Sequence, residues 1–212
     1  MLGYQLVIIW LLTFFTIFYP LVRGLSIPNA TIAYWCLVML FIALFEFLLP
    51  FNYQYMCKKG REYNKDNACF GLEDGKSLTD MLSPKMYMDL YADYSLSDCK
   101  YRKGFGHDGF HFVLFGELWH GAFSAIGSIL TLYYLYTDPG SKKFFLSAFS
   151  TGLVQLTMII WYVSPVFLEL FIEDSENHIS KWWWPPFLWN APWFVFPPLL
   201  IYWGAVGTLT KT

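Results

Sequence analysis

The stretch Trp189-Asn190-Ala191-Pro192-Trp193 lies inside a long apolar run near the C-terminus. If this run is a helix, Asn190 and Trp193 are three residues apart and therefore share one face. A buried amide and a buried indole both need hydrogen-bond partners. Two carboxylates, Glu46 and Glu117, are embedded in earlier apolar runs. We expect these four side chains to line one pocket within a membrane.

The composition of the chain indicates its class. Of the 212 residues, 56% are hydrophobic and 14% are charged, whereas soluble domains carry about 25% charged residues. The sequence therefore predicts an all-α, polytopic membrane protein. The formal net charge of −2 provides no basic surface, so no nucleic-acid partner is expected.

Five apolar runs are long enough to cross a bilayer as helices, which takes about 20 residues. They cover approximately residues 4–22, 31–50, 112–136, 143–163 and 185–209. A long polar loop, about residues 52–108, separates the second run from the third, and Met86–Tyr94 is predicted to form a short surface helix within it. The sequence thus predicts one integral membrane domain over residues 1–212, built as a five-helix bundle.

Glu117 is the strongest candidate for chemistry inside the membrane. A carboxylate at the middle of a membrane helix costs roughly 2.5–3.5 kcal/mol on insertion scales, and burial favours its protonated form. Such a group can act as a general acid, with His120 one turn away as a proton relay. In the structural alternative, Glu117 bonds Gln155 or Asn190 and holds helices together. For Glu46, near the end of the second run, the alternative is a carboxylate that reaches into the headgroups.

Two further patterns concern metals and cations. Glu117-Leu118-Trp119-His120 matches the Glu-x-x-His element of di-iron sites, but those sites need a second copy and two more glutamates. Since the sequence has one copy and four histidines, we predict neither a metal site nor a cofactor. The indole face of Trp193 can stabilise a carbocation or a ligand amine by about 2 kcal/mol. The alternative is a tryptophan that simply faces lipid or the core.

Three stretches carry a resemblance to a known family. The segment from Tyr91 to Tyr101 reads aromatic-x-acid-Tyr-x-x-x-Asp-x-basic-Tyr, Glu117 lies early in the third run, and Asn190 to Pro197 reads Asn-x-x-Trp-x-x-x-Pro. With the five-run layout, over about residues 31–208, they resemble the emopamil-binding protein family, the sterol Δ8–Δ7 isomerases of the EXPERA superfamily. The Ala-Pro-aromatic form of the last motif is also similar to the sigma-two receptor branch.

The resemblance implies roles for individual residues. In that family a carboxylic acid protonates a sterol double bond, a tryptophan stabilises the carbocation, and a neighbouring group removes a proton one carbon away. Glu46 and Glu117 would form the acid/base pair, Asn190 would orient one of them, and Trp193 would face the cation. Tyr94 and Tyr101 would close the pocket from the loop. Independently of the resemblance, Gln155 and Trp189 are also expected to contact the sterol-like or other lipid. The resemblance favours the endoplasmic reticulum, with a mitochondrial inner or other organelle membrane as the alternative.

One departure from the family pattern leaves the function open. The family has a histidine one turn before the glutamate of the second span, where this chain has Ile42, and His120 stands where the family has a small hydroxyl residue. Either the proton relay has moved, or catalysis has been lost while the fold persists. The chain is therefore expected to be a sterol isomerase, a non-catalytic binder of lipids or cationic amphiphiles, or an accessory subunit of a large mitochondrial or photosynthetic membrane complex. A homodimer is a further expectation for its assembly.

Overall fold

The computed structural model is helical throughout its described part, apart from short turns. It describes residues 3–66, 91–92, 110–169 and 184–210. Besides the helical pair 91–92, these residues form five helices: α1 (Gly3–Val22), α2 (Ile27–Asp66), α3 (Phe110–Thr137), α4 (Lys142–Glu169) and α5 (Trp184–Thr210). No strand occurs in the described ranges. The predicted all-α class is therefore confirmed.

Three of the helices are long and apolar enough to cross a membrane. Their spanning segments are Ile27–Glu62 of α2, Lys142–Ser164 of α4 and Asn190–Thr210 of α5. The described side chains of α1 form a shorter apolar segment, Leu12–Val22, and α3 is not among the spanning segments. These three helices support the predicted membrane protein, and the five-span bundle stays a prediction.

The second helix extends well beyond its predicted end. We expected a loop from residue 52, but α2 continues through Pro50 to Asp66, so the predicted loop boundary is wrong. The polar residues after Pro50 are compatible with a helix: the amide of Asn52 donates to the carbonyl oxygen of Leu48 at 2.8 Å. Lys59 and Glu62 form an ion pair of 2.9 Å one turn apart. Polarity ends the apolar run without ending the helix.

The later helices also differ from the predicted bounds. α4 runs to Glu169 rather than ending near residue 163, and α5 stays helical although Pro192, Pro197 and Pro198 lie inside it. Of the predicted surface helix Met86–Tyr94, the structure describes the helical pair 91–92. The rest of that helix lies outside the described residues.

Tight turns set the direction of neighbouring helices. Gly24, between α1 and α2, has a φ of 86°, and Gly140, between α3 and α4, has a φ of 81°, conformations that favour glycine. Ser141 caps α4, because its hydroxyl oxygen accepts a hydrogen bond from the backbone N–H of Phe144 at 3.1 Å. The short connection between α3 and α4 makes these two helices antiparallel neighbours.

The chain divides into two compact units. Unit 1 consists of residues 1–7, 45–118 and 161–189, and unit 2 consists of residues 8–44, 119–160 and 190–212. Each of the five helices contributes one segment to each unit. Among the candidate residues, the carboxylates Glu46 and Glu117 belong to unit 1, whereas His120 and Trp193 belong to unit 2.

In unit 2, α2 is the central helix. Residues 32–36 are buried one after another, so protein covers every side of this helix rather than one stripe. On one side, the rings of Phe14 in α1 and Phe41 in α2 meet edge to face, with centroids 4.7 Å apart. On another side, Phe196 of α5 stacks on Trp35 with centroids 4.6 Å apart. The central helix thus carries side chains that are enclosed by its neighbours.

Glycines bring α4 and α5 together at backbone distance within unit 2. A Cβ atom on Gly152 would lie 2.7 Å from the carbonyl oxygen of Pro197. A Cβ atom on Gly204 would lie 2.6 Å from the backbone nitrogen of Phe149 and 2.7 Å from the carbonyl oxygen of Phe145. Because backbone atoms have little freedom to move aside, only glycine fits these positions, as is typical of closely packed membrane helices.

The side chains of unit 2 are distributed as expected for a protein surrounded by lipid. Its exposed side chains include many large apolar residues, among them Phe15, Ile17, Phe123, Ile126, Leu130, Leu146, Leu153, Val195 and Tyr202. Its buried side chains include six polar ones, Ser124, Ser128, Thr131, Thr151, Gln155 and Asn190. Extensive apolar exposure marks a surface that is covered by a partner or a membrane, and polar residues inside membrane bundles face the protein interior.

Candidate functional site

A buried amide in unit 2 is held by an indole from the central helix. Trp35 of α2 and Gln155 of α4 are both 0% exposed, and Trp35 Nε1 donates to Gln155 Oε1 at 2.8 Å. This bond fixes which side of the amide is oxygen and which is nitrogen. Gln155 Nε2 has no hydrogen-bond partner among the described residues. The amide is therefore oriented, and its two N–H groups are left to donate.

Two further aromatic side chains extend from Trp35. The indole rings of Trp35 and Trp193 meet edge to face, with centroids 5.3 Å apart. Trp193 Nε1 in turn points at His120 Nε2, at 3.3 Å. In this weak hydrogen bond, Nε2 of the imidazole is the acceptor. Side chains from α2, α3 and α5 thus form a continuous row that starts at the Gln155 amide.

Two serines on α3 bury hydroxyl groups without a partner. His120, Ser124 and Ser128 follow one another at intervals of four residues and so share a helix face. Ser124 is 1% exposed and Ser128 is 0% exposed, and neither hydroxyl makes a hydrogen bond among the described residues. Helical hydroxyls commonly bond back to the preceding turn, as Thr157 does to the carbonyl oxygen of Leu153 at 2.8 Å. The hydroxyls of Ser124 and Ser128 do not bond to the preceding turn in this way.

The register of α3 against α4 places these polar groups at one level of unit 2. The hydroxyl oxygens of Thr131 and Thr151 are 3.1 Å apart. Thr151 lies against Gly127 as well as Thr131, so in this antiparallel pair Gln155, one turn beyond Thr151, is level with the α3 turn from Ser124 to Ser128. Cys36, the neighbour of Trp35, has its thiol beside the hydroxyls of Ser128 and Thr131, although Ser128 meets no atom at hydrogen-bonding geometry.

These contacts define one group of side chains, which we call the polar cluster. Its members are Trp35, His120, Ser124, Ser128, Gln155 and Trp193. It combines two indole rings and an imidazole with one oriented amide and two hydroxyls. Such a mixture of aromatic walls and a few fixed polar groups is typical of sites that bind small, largely apolar molecules.

The two candidate carboxylates lie in unit 1. Tyr91 is buried, and its hydroxyl donates to Glu117 Oε2 at 2.9 Å. Glu46 is 2% exposed, so protein covers its side chain rather than leaving it to reach outward. A phenol that donates to a carboxyl oxygen fixes the orientation of the carboxyl group.

The structure brings together some of the predicted site residues. His120, Gln155 and Trp193 are joined through Trp35, and Asn190 is buried at 8% exposure in the α5 segment of unit 2. Tyr94, Tyr101 and the side chain of Trp189 lie outside the described residues. The common pocket for Glu46, Glu117, Asn190 and Trp193 stays a prediction.

Four side chains described above were not predicted from the sequence as site residues. Trp35 stands in an apolar run without a polar neighbour in the sequence, and Tyr91 was quoted for its family pattern but given no role. Ser124 and Ser128 belong to no motif that marks them as site residues in the sequence. A signal for Trp35 exists: an isolated amide such as Gln155 in a membrane helix requires a donor or acceptor from another helix.

Comparison of the chain with models of protein families, with curated proteins and with solved structures gave no match. The resemblance described above therefore stays an expectation from three short motifs.

Proposed function

We propose that this chain is a five-span integral membrane protein that binds a sterol-like lipid at the polar cluster. The observation that carries the proposal is the Gln155 amide, buried and oriented by Trp35 within helices whose outer surface is apolar. A sterol-like lipid combines a rigid apolar body with one small polar group. Aromatic rings beside a single oriented amide complement that combination, and the bilayer supplies such molecules directly.

The family resemblance supports a reaction as well. A proton from the carboxyl group of Glu117 would add to one carbon of a ring double bond, which forms a C–H bond and leaves a carbocation. Loss of a proton from the adjacent carbon to Glu46 would re-form the double bond one position away. The reaction needs no redox partner, and the hydrogen bond from Tyr91 would orient the acid.

A second candidate function is a non-catalytic one, either as a lipid-binding protein or as an accessory subunit of a larger membrane assembly. Ile42 supports it, because this residue is 3% exposed and occupies the position of the family histidine. An aliphatic side chain at a buried position carries no proton to transfer. This candidate keeps the lipid at the polar cluster and removes the reaction.

The test uses the purified full chain in phosphatidylcholine nanodiscs with a Δ8 sterol. Binding is measured by retention of the radiolabelled sterol, and reaction by gas chromatography of the Δ7 product with deuterium incorporation from heavy water. For an isomerase, Glu117→Gln lowers turnover at least about 100-fold, whereas Glu62→Gln, at an exposed ion pair, leaves it unchanged. Binding without product in the unmodified chain selects the non-catalytic candidate. Absence of saturable binding contradicts the proposed function.

A further inference from the structure

We infer that Gln155, Ser124 and Ser128 form a subsite for a neutral oxygen atom of the ligand, a hydroxyl or keto group, and that this subsite rejects an ammonium group. The inference rests on the proposed lipid-binding function and deepens it, because it names the polar group of the lipid. It draws on two features of unit 2: hydrogen-bonding atoms left without partners, and the absence of acidic residues from its helical segments.

The amide of Gln155 has a fixed direction of hydrogen bonding. Its Oε1 atom accepts from the indole of Trp35 at 2.8 Å, so the amide cannot turn its nitrogen toward that side without losing the bond. Its Nε2 atom is buried with no partner among the described residues. An unsatisfied buried donor is costly, and only an acceptor oxygen satisfies it. A ligand group that satisfies this donor must therefore carry a lone pair.

The two serines complete the requirement for a hydroxyl ligand. Gln155 is level with the turn of α3 that runs from Ser124 to Ser128, across the antiparallel pair α3 and α4. Both hydroxyls are buried without a partner among the described residues. A serine hydroxyl both donates and accepts. A ligand O–H can therefore donate to a serine oxygen while its own oxygen accepts from Gln155.

The helical segments of unit 2 supply no counter-ion for a cationic group at this position. The helical segments of unit 2, residues 8–22, 27–44, 119–137, 142–160 and 190–210, contain no aspartate or glutamate. An ammonium group is a donor without an acceptor, so it would face the Nε2 donor and leave it unsatisfied. A buried charge also needs a counter-ion, and these segments provide none. The subsite thus distinguishes neutral lipids from amphiphilic amines.

The experiment compares four probes that share one sterol skeleton. Purified full chain in phosphatidylcholine nanodiscs is loaded with radiolabelled cholesterol, which is then displaced by cholesterol, its 3-keto analogue, its 3-amino analogue or cholestane without oxygen. We expect the hydroxyl and keto probes to compete about tenfold better than cholestane, as one satisfied buried hydrogen bond allows. The amine should compete no better than cholestane.

Variants assign this preference to the subsite. Gln155→Leu should abolish the preference for oxygen-bearing probes while retaining the affinity for cholestane. The double variant Ser124→Ala/Ser128→Ala should reduce the same preference, and it provides the test if Gln155→Leu does not fold. Thr157→Val is the control, because Thr157 is exposed on the same helix and bonds its own backbone. Equal competition by cholesterol and cholestane in the unmodified chain, as expected if a water molecule satisfies Gln155, overturns the inference and leaves lipid binding intact. Failure of every probe to bind overturns both proposals.

Discussion

Unit 2 contains two helix contacts that are built in opposite ways. Between α4 and α5, Gly152 and Gly204 let backbone touch backbone, and no side chain fits between the helices. Around the central helix, Trp35 and Gln155 meet through a hydrogen bond that leaves the Nε2 atom of the amide unsatisfied. The first contact is optimised for stability. The second keeps buried polar atoms that a purely structural contact would have replaced by apolar groups, and such departures are typical of functional sites.

The largest expected effect breaks the glycine contact. Gly204→Ala places a methyl group 2.6 Å from the backbone nitrogen of Phe149, so α4 and α5 must separate, at a cost of about 1–3 kcal/mol. The measurement is the apparent unfolding temperature of the purified chain in detergent. Gly116→Ala is the matched control, since its nearest neighbour would be a ring atom of Trp161 at 3.6 Å. An equal loss of stability in both variants would contradict the proposed role of close approach.

The next effect tests the hydrogen bond at the polar cluster. Trp35→Phe removes the indole N–H and leaves the whole Gln155 amide buried without a partner, which costs about 1–3 kcal/mol in addition to the lost ring volume. Adding Gln155→Leu removes that unsatisfied amide. The double variant should therefore unfold at a higher temperature than Trp35→Phe alone, because both partners are then apolar. If the two substitutions simply add in the destabilising direction, the amide has another partner.

The same helices and turns show how far sequence reasoning reaches. The apolar runs predict the helices, and Asp138-Pro139-Gly140 predicts the turn at which Gly140 adopts a φ of 81°. Helix ends are harder, because Pro50 removes one backbone donor yet α2 continues to Asp66. At the end of α2, the polarity of the sequence predicts a loop, whereas the backbone continues as a helix.

The site is less predictable than the fold for a physical reason. Gln155 and Trp193 were selected because polar or amphipathic groups in apolar runs need partners. The partner of Gln155 is Trp35, 120 residues away in the chain, and Tyr91 reaches Glu117 across 26 residues. Such pairs depend on the rotation of each helix about its axis, which periodicity defines only to within about one face. The sequence identifies the polar side chains that need partners, but the packing of the helices determines which of them form contacts.

A smaller difference in stability is expected between substitutions of the donor and of the acceptor in the hydroxyl pair between α3 and α4. Thr151 gives its hydrogen to the carbonyl oxygen of Ser147 at 2.7 Å, so Thr131 is the donor in the 3.1 Å contact with Thr151. Thr151→Val leaves the Thr131 hydroxyl without its acceptor, whereas Thr131→Val leaves no donor unsatisfied. We expect the first to cost at most about 1 kcal/mol, because the Cys36 thiol offers a weak alternative acceptor. The second should cost less.

The smallest effect is expected on the exposed face of α4. Thr157→Val removes only a bond to the carbonyl oxygen of Leu153 in the same helix, so the unfolding temperature should change by no more than about 1 °C, corresponding to a few tenths of a kcal/mol. A larger loss in detergent would mean that this face is covered by a second protein chain. It would then favour an assembly over a lipid-facing surface.

The prolines of α5 bear on the motion of the indole. Pro197 and Pro198 have no N–H group, so the carbonyl groups of Trp193 and Phe194 lack their helical donors four residues on. Trp193 is also the residue whose indole donates to His120. The turn of α5 that presents this indole is therefore the one with the fewest backbone bonds to break. A bend there swings the ring away from the imidazole while the glycine-packed half of the helix, around Gly204, keeps its place on α4.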